Sequence, residues 1–122
     1  MYEVRVETNF SSAHHLLNYK GKCENMHGHN WKVEVTARGS KLDNSNILVD
    51  FKTLKKATNE IMEYLDHKDL NELKEFKNES PSSEFIAKFI YYKLKEKIKE
   101  IYRVNVWETP TSRASYFETE EQ

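Results

Sequence analysis

The sequence predicts an α+β fold in which two helices cover one face of a four-stranded antiparallel sheet. Apolar and polar residues alternate in two stretches near the N-terminus and in two near the C-terminus, which is the period of half-buried strands. Between these stretches the apolar residues fall at helical spacing in two segments. Short connections between successive strands favour antiparallel pairs, so the expected order is strand, strand, helix, helix, strand, strand.

The first two strands come from the first third of the chain. Apolar and charged residues alternate from Tyr2, in an apolar segment that ends at His14 and His15, and a second alternation runs from His27 to Arg38. A polar loop at residues 18–25 separates them, and the run GSKLDNSN from Gly39 has the composition of a turn. In the second strand we expect one set of side chains to face the core: Trp31, Val33, Val35 and Ala37.

Two helices follow. Asp50 is a plausible N-cap for the first, whose apolar residues extend from Phe51 to Leu65. Ser80-Pro81 suits the start of the second, as a cap followed by a first-turn proline, and its apolar residues continue to Ile101. Residues 70–80 are predicted to be a charged loop. The last two strands are expected at 102–108 and 113–119, and the edges of such a sheet could pair with other subunits.

Composition narrows the class of protein. The chain has 122 residues, 32% charged and 38% hydrophobic, which predicts one globular domain over residues 1–122. The net charge of −1 and a solvated lysine-rich helix face argue against nucleic acid as a partner. A single cysteine permits no internal disulfide, and no signal peptide or 18-residue apolar run is evident. We therefore expect a soluble cytoplasmic protein that does not contact a membrane.

The stretch CENMHGHNW, residues 23–31, concentrates reactive side chains. It holds the only cysteine, two of the five histidines and one of the two tryptophans. His27 and His29 lie two apart on a predicted strand, so both imidazoles project from one face, with Cα atoms roughly 6–7 Å apart. An antiparallel partner would bring His14 and His15 close. Three histidines with one open position are typical of a catalytic zinc site, whereas a His-x-His pair alone also fits an ordinary surface strand.

Three further residues are candidates for acid–base chemistry. Cys23 precedes the histidine pair, and its thiol would need a nearby cation to become a thiolate at neutral pH. Asp66 and His67 place a carboxylate beside an imidazole at the end of the first helix. The same two residues could instead simply terminate that helix, with the imidazole favoured by its dipole.

Taken together, these motifs resemble the 6-pyruvoyltetrahydropterin synthase family over about residues 3–117. The closer resemblance is to its bacterial branch, the 6-carboxytetrahydropterin synthases of queuosine (7-deazaguanine) synthesis. The matching segments are Phe10-Ser-Ser-Ala-His14, Cys23-x-x-x-His27-Gly-His29, Leu65-Asp66-His67, Pro81-Ser-Ser-Glu84 and Glu108-Thr109.

The resemblance implies the tunnelling fold, with the two helices inserted between the second and third strands. It also implies homo-oligomers, typically a hexamer made of two trimers, with active sites at subunit interfaces. The family's zinc ligands fall on His14, His27 and His29, whereas His15 is not expected to be a ligand.

The resemblance also implies the roles of the remaining site residues. It makes Cys23 the catalytic cysteine, working with Asp66 and His67, and Glu108 the carboxylate that anchors the pterin ring. Ser82, Ser83 and Glu84 match a segment that helps to line the pterin pocket, although helix capping explains the serines equally well. Thr109, in the same motif as Glu108, is also expected to bind the substrate. Groups for the triphosphate are indicated by location alone, at Lys20, Lys22 and Arg113.

The implied activity is a zinc-dependent lyase reaction on 7,8-dihydroneopterin triphosphate. The products would be 6-carboxy-5,6,7,8-tetrahydropterin, acetaldehyde and triphosphate. Glu24 leaves an alternative open, because a related branch uses a glutamate here to make 6-hydroxymethyl-7,8-dihydropterin for folate, and some members carry both residues. Glu24 could equally be a solvated loop acid. A 6-pyruvoyltetrahydropterin synthase is a third possibility, and a non-catalytic zinc or pterin-binding module fits poorly with an intact acid–base set.

Overall fold

The sheet has four antiparallel strands in the order β1-β2-β3-β4. The computed structural model describes residues 1–20 and 24–119. Its elements are β1 (Tyr2–His14), β2 (His27–Gly39), α1 (Phe51–Leu65), α2 (Ser83–Lys95), β3 (Ile101–Thr109) and β4 (Ser112–Phe117). Both helices lie between β2 and β3 in the chain, so the predicted α+β fold and its order of elements are confirmed.

One face of the sheet packs against both helices and forms the core. Phe10 of β1 and Trp31 of β2 stack with ring centroids 5.7 Å apart and an interplanar angle of 6°. Burial of such large apolar side chains is the main stabilising contribution to a domain of this size. The fully buried residues that the helices add are Leu54 and Leu65 from α1 and Ile86, Ala87, Ile90 and Leu94 from α2.

The β1–β2 pair positions the histidines. The two strands pair without interruption from Tyr2 opposite Gly39 to His14 opposite His27. Directly opposed residues on one face of an antiparallel pair have Cβ atoms about 4.5–5.5 Å apart. The end of this long hairpin therefore brings two imidazoles together on the helix-covered face.

The second helix begins later and ends earlier than the sequence predicts. Ser82, rather than Ser80, is its N-cap, and the Ser82 hydroxyl accepts the Phe85 N–H at 3.1 Å. Pro81 consequently precedes the cap instead of occupying the first turn. The helix ends at Lys95, and Ile101 begins β3. Ile101 is buried in the core, so packing of a strand residue accounts for an apolar position that continued the helical spacing.

The segment between the helices is not only a charged loop. Two short 3₁₀ turns, Leu70–Glu72 and Lys74–Phe76, lie within it, and they insert Leu70 and Phe76 fully into the core. On the helix-free face, Glu34 of β2 is buried despite its polar parity. Asn105 donates to the Glu34 carboxylate at 2.8 Å, which satisfies that buried charge.

Neither α1 nor α2, the α-helices of the described residues, has the length and apolar character needed to cross a bilayer.

Candidate metal centre and active site

Three imidazoles converge where β1 ends and β2 begins. The ring centroids of His14 and His27 are 4.6 Å apart, those of His27 and His29 are 4.8 Å apart, and those of His14 and His29 are 5.2 Å apart. Trp31 lies behind them, with its ring centroid 4.8 Å from that of His14. The indole N–H of Trp31 donates to the Ser12 carbonyl at 3.1 Å, which fixes this wall of the site.

Backbone carbonyls orient two of these rings. His14 Nδ1 lies 2.7 Å from the Pro81 carbonyl, and His27 Nδ1 lies 2.8 Å from the Asn25 carbonyl. A carbonyl only accepts, so in each neutral ring the proton is on Nδ1 and the lone pair is on Nε2. This second hydrogen bond is how proteins commonly fix the tautomer of a metal-binding histidine.

The electrostatics also favour a neutral imidazole at His29. Burial holds the pKa of His29 below its ordinary value, because a charged ring loses solvation there; the Glu108 carboxylate opposes that shift, and the neighbouring histidines reinforce it. A neutral imidazole is the form that binds a metal ion.

Glu108 approaches the same point from β3. Its Oε1 atom lies 3.1 Å from His14 Nε2 and 3.4 Å from His29 Nε2. Both nitrogens are buried without an aligned hydrogen-bond partner among the described residues. One ligand atom from each of the four side chains lies within 4.8 Å of every other.

These four side chains fit a divalent metal ion. Two ligands each about 2.0–2.1 Å from a tetrahedral zinc ion would be roughly 3.3 Å apart, close to the separations between Glu108 and the two imidazoles. A buried nitrogen that carries a lone pair and has no donor to accept from, as at His14 Nε2, is costly unless a cation lies beside it. Imidazole and carboxylate groups together suit zinc.

Asp66 and His67 pair with each other along the outer edge of β1. The Asp66 carboxylate accepts the Ser11 N–H at 2.8 Å and lies 2.8 Å from His67 Nδ1. The Ser11 hydrogen bond, followed by the one from His67, holds the pKa of Asp66 below its ordinary value, so the carboxylate stays ionised. The His67 side chain is 84% exposed and its backbone has φ of 53°. Within the described residues, the hydrogen bonds of this pair reach β1 rather than the histidine cluster.

Cys23 lies outside the described residues. Glu24 is the first described residue after it, and its carboxylate accepts the Leu16 N–H at 3.1 Å. The same oxygen lies 3.9 Å from His27 Nδ1, and the Glu24 N–H donates to the Leu16 carbonyl. Glu24 therefore both ties its loop to the end of β1 and borders the metal centre.

The predicted pocket-lining and triphosphate-binding residues do not all lie beside the three histidines. Ser82 caps α2, directly after the carbonyl that orients His14, and Ser82 and Glu84 line a groove with Leu17 and Lys88. Ser83 is the first residue of α2 and Thr109 the last of β3. Lys22 is outside the described residues. The remaining two candidates for triphosphate lie over aromatic rings: Lys20 over Tyr19 and Arg113 over Trp107.

Several groups that shape the site were absent from the sequence-based prediction. The carbonyls of Pro81 and Asn25 and the amide of Ser11 are backbone groups, which no residue type reveals. The sequence predicts Glu108 only as the residue that anchors the pterin ring. Its approach to the histidines becomes visible only when β3 is placed beside β2.

Comparisons with known proteins agree with this fold. The family described as "6-pyruvoyl tetrahydropterin synthase" matches residues 3–119. The chain is 35% identical to 6-carboxy-5,6,7,8-tetrahydropterin synthase of Synechocystis sp., covering 96% of this chain and 94% of that one. It is 32% identical to 6-pyruvoyl tetrahydrobiopterin synthase of Dictyostelium discoideum, covering 88% and 89%.

A solved structure shows the same architecture. The 6-pyruvoyl tetrahydropterin synthase of Caenorhabditis elegans superposes with a TM-score of 0.86 at 29% identity, covering 97% of this chain and 96% of that one. The predicted tunnelling fold is thereby confirmed. The match to the family covers nearly the whole chain, and the chain belongs to the 6-pyruvoyl tetrahydropterin synthase family.

Proposed function

We propose that this protein is a 6-carboxy-5,6,7,8-tetrahydropterin synthase. It would convert 7,8-dihydroneopterin triphosphate and one water molecule into 6-carboxytetrahydropterin, acetaldehyde and triphosphate, in the synthesis of queuosine. The observation that carries the proposal is the convergence of His14, His27 and His29 on one point beside Glu108. The name of the Synechocystis relative supports the carboxy product over the pyruvoyl one.

We propose zinc as the ion held by the three imidazoles. When bound, zinc would act as a Lewis acid that stabilises negative charge on oxygen as a carbon-bound proton leaves the substrate. The protein's part is to hold each ring in one orientation: the Pro81 and Asn25 carbonyls keep the Nδ1 proton of His14 and His27, so that Nε2 remains the ligand.

Cys23, Asp66 and His67 would move the protons. The Cys23 thiolate removes a proton from a side-chain carbon, and protonated groups return one to a neighbouring carbon, so hydrogen moves within the substrate and no redox cofactor is required. The ionised Asp66 carboxylate holds the His67 ring with its proton on Nδ1, which leaves Nε2 to accept or donate. Elimination of triphosphate, followed by cleavage of the remaining side chain with uptake of one water molecule, completes the reaction: the oxygen of water enters the carboxylate and the two-carbon fragment leaves as acetaldehyde.

Glu108 would anchor the pterin ring. A carboxylate accepts two parallel hydrogen bonds from the 2-amino group and the adjacent ring N–H, which fixes the orientation of the ring. The Glu108 side chain is 34% exposed, so a ligand can approach it from solvent. Ser82, Ser83, Glu84 and Thr109 would line the pocket around the ring.

We also propose that the protein assembles into a homohexamer of two trimers. The outer edges of the sheet belong to β1 and β4. The end of β1 bonds to residues 66–68 through Ser11 and Ala13, so β4 and the earlier part of β1 are the edges that could bond to another chain. A mass in solution equal to six chains would support this assembly, whereas a monomer would contradict it.

Product identification tests the proposed reaction. Purified, metal-analysed protein is incubated with 7,8-dihydroneopterin triphosphate, and the products are separated by liquid chromatography with mass detection. We expect acetaldehyde and 6-carboxytetrahydropterin in equal amounts. A 6-hydroxymethyl or 6-pyruvoyl product in their place would overturn the assignment.

The position of Glu24 beside His27 supports a second candidate, a dual-function or folate-pathway enzyme. A carboxylate there could act as the base that directs cleavage at the first side-chain bond. Its hydrogen bond from the Leu16 N–H instead supports a structural role in the loop. We expect Glu24→Gln to leave the product ratio unchanged, because an amide oxygen still accepts the Leu16 N–H.

Glu24→Ala separates the two roles when assayed in parallel. If both variants lose a 6-hydroxymethyl product that the parent makes, Glu24 is a base, and the result supports the dual-function or folate-pathway enzyme. If only Glu24→Ala has reduced turnover, with an unaltered product ratio, the carboxylate holds the loop. The products are measured as in the assay of the parent protein.

A further inference from the structure

We propose that Glu108 is a fourth ligand of the metal in the substrate-free enzyme, and that the pterin ring takes its carboxylate off the metal. The first half rests on the geometry of Glu108 and the histidines. The second half also rests on the proposed function, because it requires the pterin to be the ligand of this site.

The tautomer of His14 carries the first step. The His14 Nδ1 proton is held by the Pro81 carbonyl, so in the neutral ring Nε2 presents a lone pair. Glu108 Oε1 nevertheless lies 3.1 Å from that nitrogen, where two lone pairs would repel each other. A cation bound to both atoms removes this repulsion.

The same Glu108 oxygen also approaches His29. His29 Nε2 is buried, has no aligned hydrogen-bond donor or acceptor within residues 1–20 and 24–119, and lies 3.4 Å from the same Oε1 atom. Separations of 3.1 and 3.4 Å bracket the roughly 3.3 Å expected between neighbouring ligands of a tetrahedral zinc ion. A simple ion pair with one protonated histidine would not require a single oxygen to face two nitrogens.

The backbone aims Glu108 at this point. Trp107 pairs with Arg113 and Thr109 pairs with Ser112, so Glu108 is an extra residue without a partner on β4. Such a bulge re-aims the side chain of the unpaired residue and is frequent next to active sites. Glu108 is thus directed toward the ends of β1 and β2, rather than along the regular pleat of β3.

The Glu108 carboxylate cannot bind the metal ion and the pterin ring with the same oxygen at the same time. The bidentate grip on a pterin uses both oxygens of Glu108, including the Oε1 atom that faces His14 and His29. On this proposal, Glu108 and the three imidazoles would together hold the ion before the pterin binds. With both Glu108 oxygens accepting hydrogen bonds from the ring, His14, His27 and His29 would hold it alone, as in a catalytic site with three protein ligands.

Zinc affinity tests the first half without any assay of activity. Zinc is titrated against a chromophoric chelator in the full chain and in two variants that each remove one negative charge near the histidines. We expect Glu108→Gln to weaken zinc binding by more than about 10-fold, because a neutral amide oxygen is a poorer ligand than a carboxylate and even the loss of an outer-shell partner costs about 10-fold to 100-fold. We expect the zinc affinity of Glu24→Gln to stay within about 3-fold of that of the parent. Glu24 lies on the Nδ1 side of His27, away from the space between Glu108 and the histidine Nε2 atoms. Equal affinities for Glu108→Gln and the parent would overturn the proposal.

Cobalt substitution tests the second half. The visible spectrum of bound Co²⁺ reports the number and type of its ligands, and 6-methylpterin is added as a ring that carries no side-chain hydroxyls. We expect the spectrum of the parent to change on binding and that of Glu108→Gln to stay constant. An unchanged parent spectrum at saturating pterin, or no binding of the pterin, would overturn the exchange. Weakened zinc binding and a spectral change, in a protein that makes none of the expected products, would uphold the exchange and refute the proposed reaction instead.

Discussion

Replacing His29 with alanine is expected to abolish both zinc binding and turnover. The change removes one of three imidazoles, so the loss of affinity should exceed the roughly 100-fold that even an outer-shell partner can cost. His29 is the preferred position for this test because its side chain is partly exposed, whereas His14 is buried against Trp31 and its loss would also leave a cavity. Metal content by atomic emission and the rate of product formation measure the two effects.

His15→Ala is the matched control for this variant. It removes an imidazole next to His14 that is not expected to bind the metal. Two hydrogen bonds with the Asn71 side chain hold the His15 backbone, so the end of β1 should stay in place. We expect His15→Ala to keep the zinc content of the parent. If His29→Ala also kept it, the three-histidine centre would be wrong.

The periodicity of apolar residues predicted the fold because most strands and helices turn one apolar face toward the core. Apolar and polar residue types alternate along β2, with Trp31 and Val33 among its apolar positions, and α1 follows its apolar stripe from an aspartate cap. Periodicity failed where a polar-looking segment contributes to the core. Phe76 is surrounded in the sequence by lysine and glutamate, so local composition hides a fully buried residue. Its burial depends on contacts with α2, which lie at longer range in the sequence.

The site was predictable to the extent that strand register determines it. His27 and His29 share a face by parity, and antiparallel pairing places His14 opposite His27. The approach of Glu108 depends instead on the bulge in β3, and the tautomer of His14 depends on a carbonyl 67 residues away. Neither leaves a signal in residue type. The roles of Cys23 and of the pocket-lining residues come from the family resemblance and remain proposals.

Asp66→Asn is expected to lower kcat by about 10²-fold to 10⁴-fold, with little change in zinc content. In the parent, the Asp66 carboxylate accepts from both the Ser11 N–H and His67 Nδ1. An asparagine that keeps the Ser11 hydrogen bond through its oxygen must turn its NH₂ group toward His67. That group donates, so the ring proton moves from Nδ1 to Nε2 and the imidazole presents the wrong tautomer, as happens when the aspartate of a serine protease triad is changed to asparagine.

Asp69→Asn makes the same chemical change three residues away and serves as the control. Asp69 caps a 3₁₀ turn by accepting the Asn71 N–H at 3.1 Å, and an amide oxygen accepts equally well. We expect Asp69→Asn to retain the kcat of the parent. Because the pKa of Asp66 is held below its ordinary value, the parent carboxylate is ionised at neutral pH. Asp66→Asn therefore removes a charge that faces His67, whereas Asp69→Asn removes one that caps the 3₁₀ turn. Equal kcat values for Asp66→Asn and Asp69→Asn would exclude the Asp66 carboxylate from the proton transfers, since both chains would carry the same metal centre.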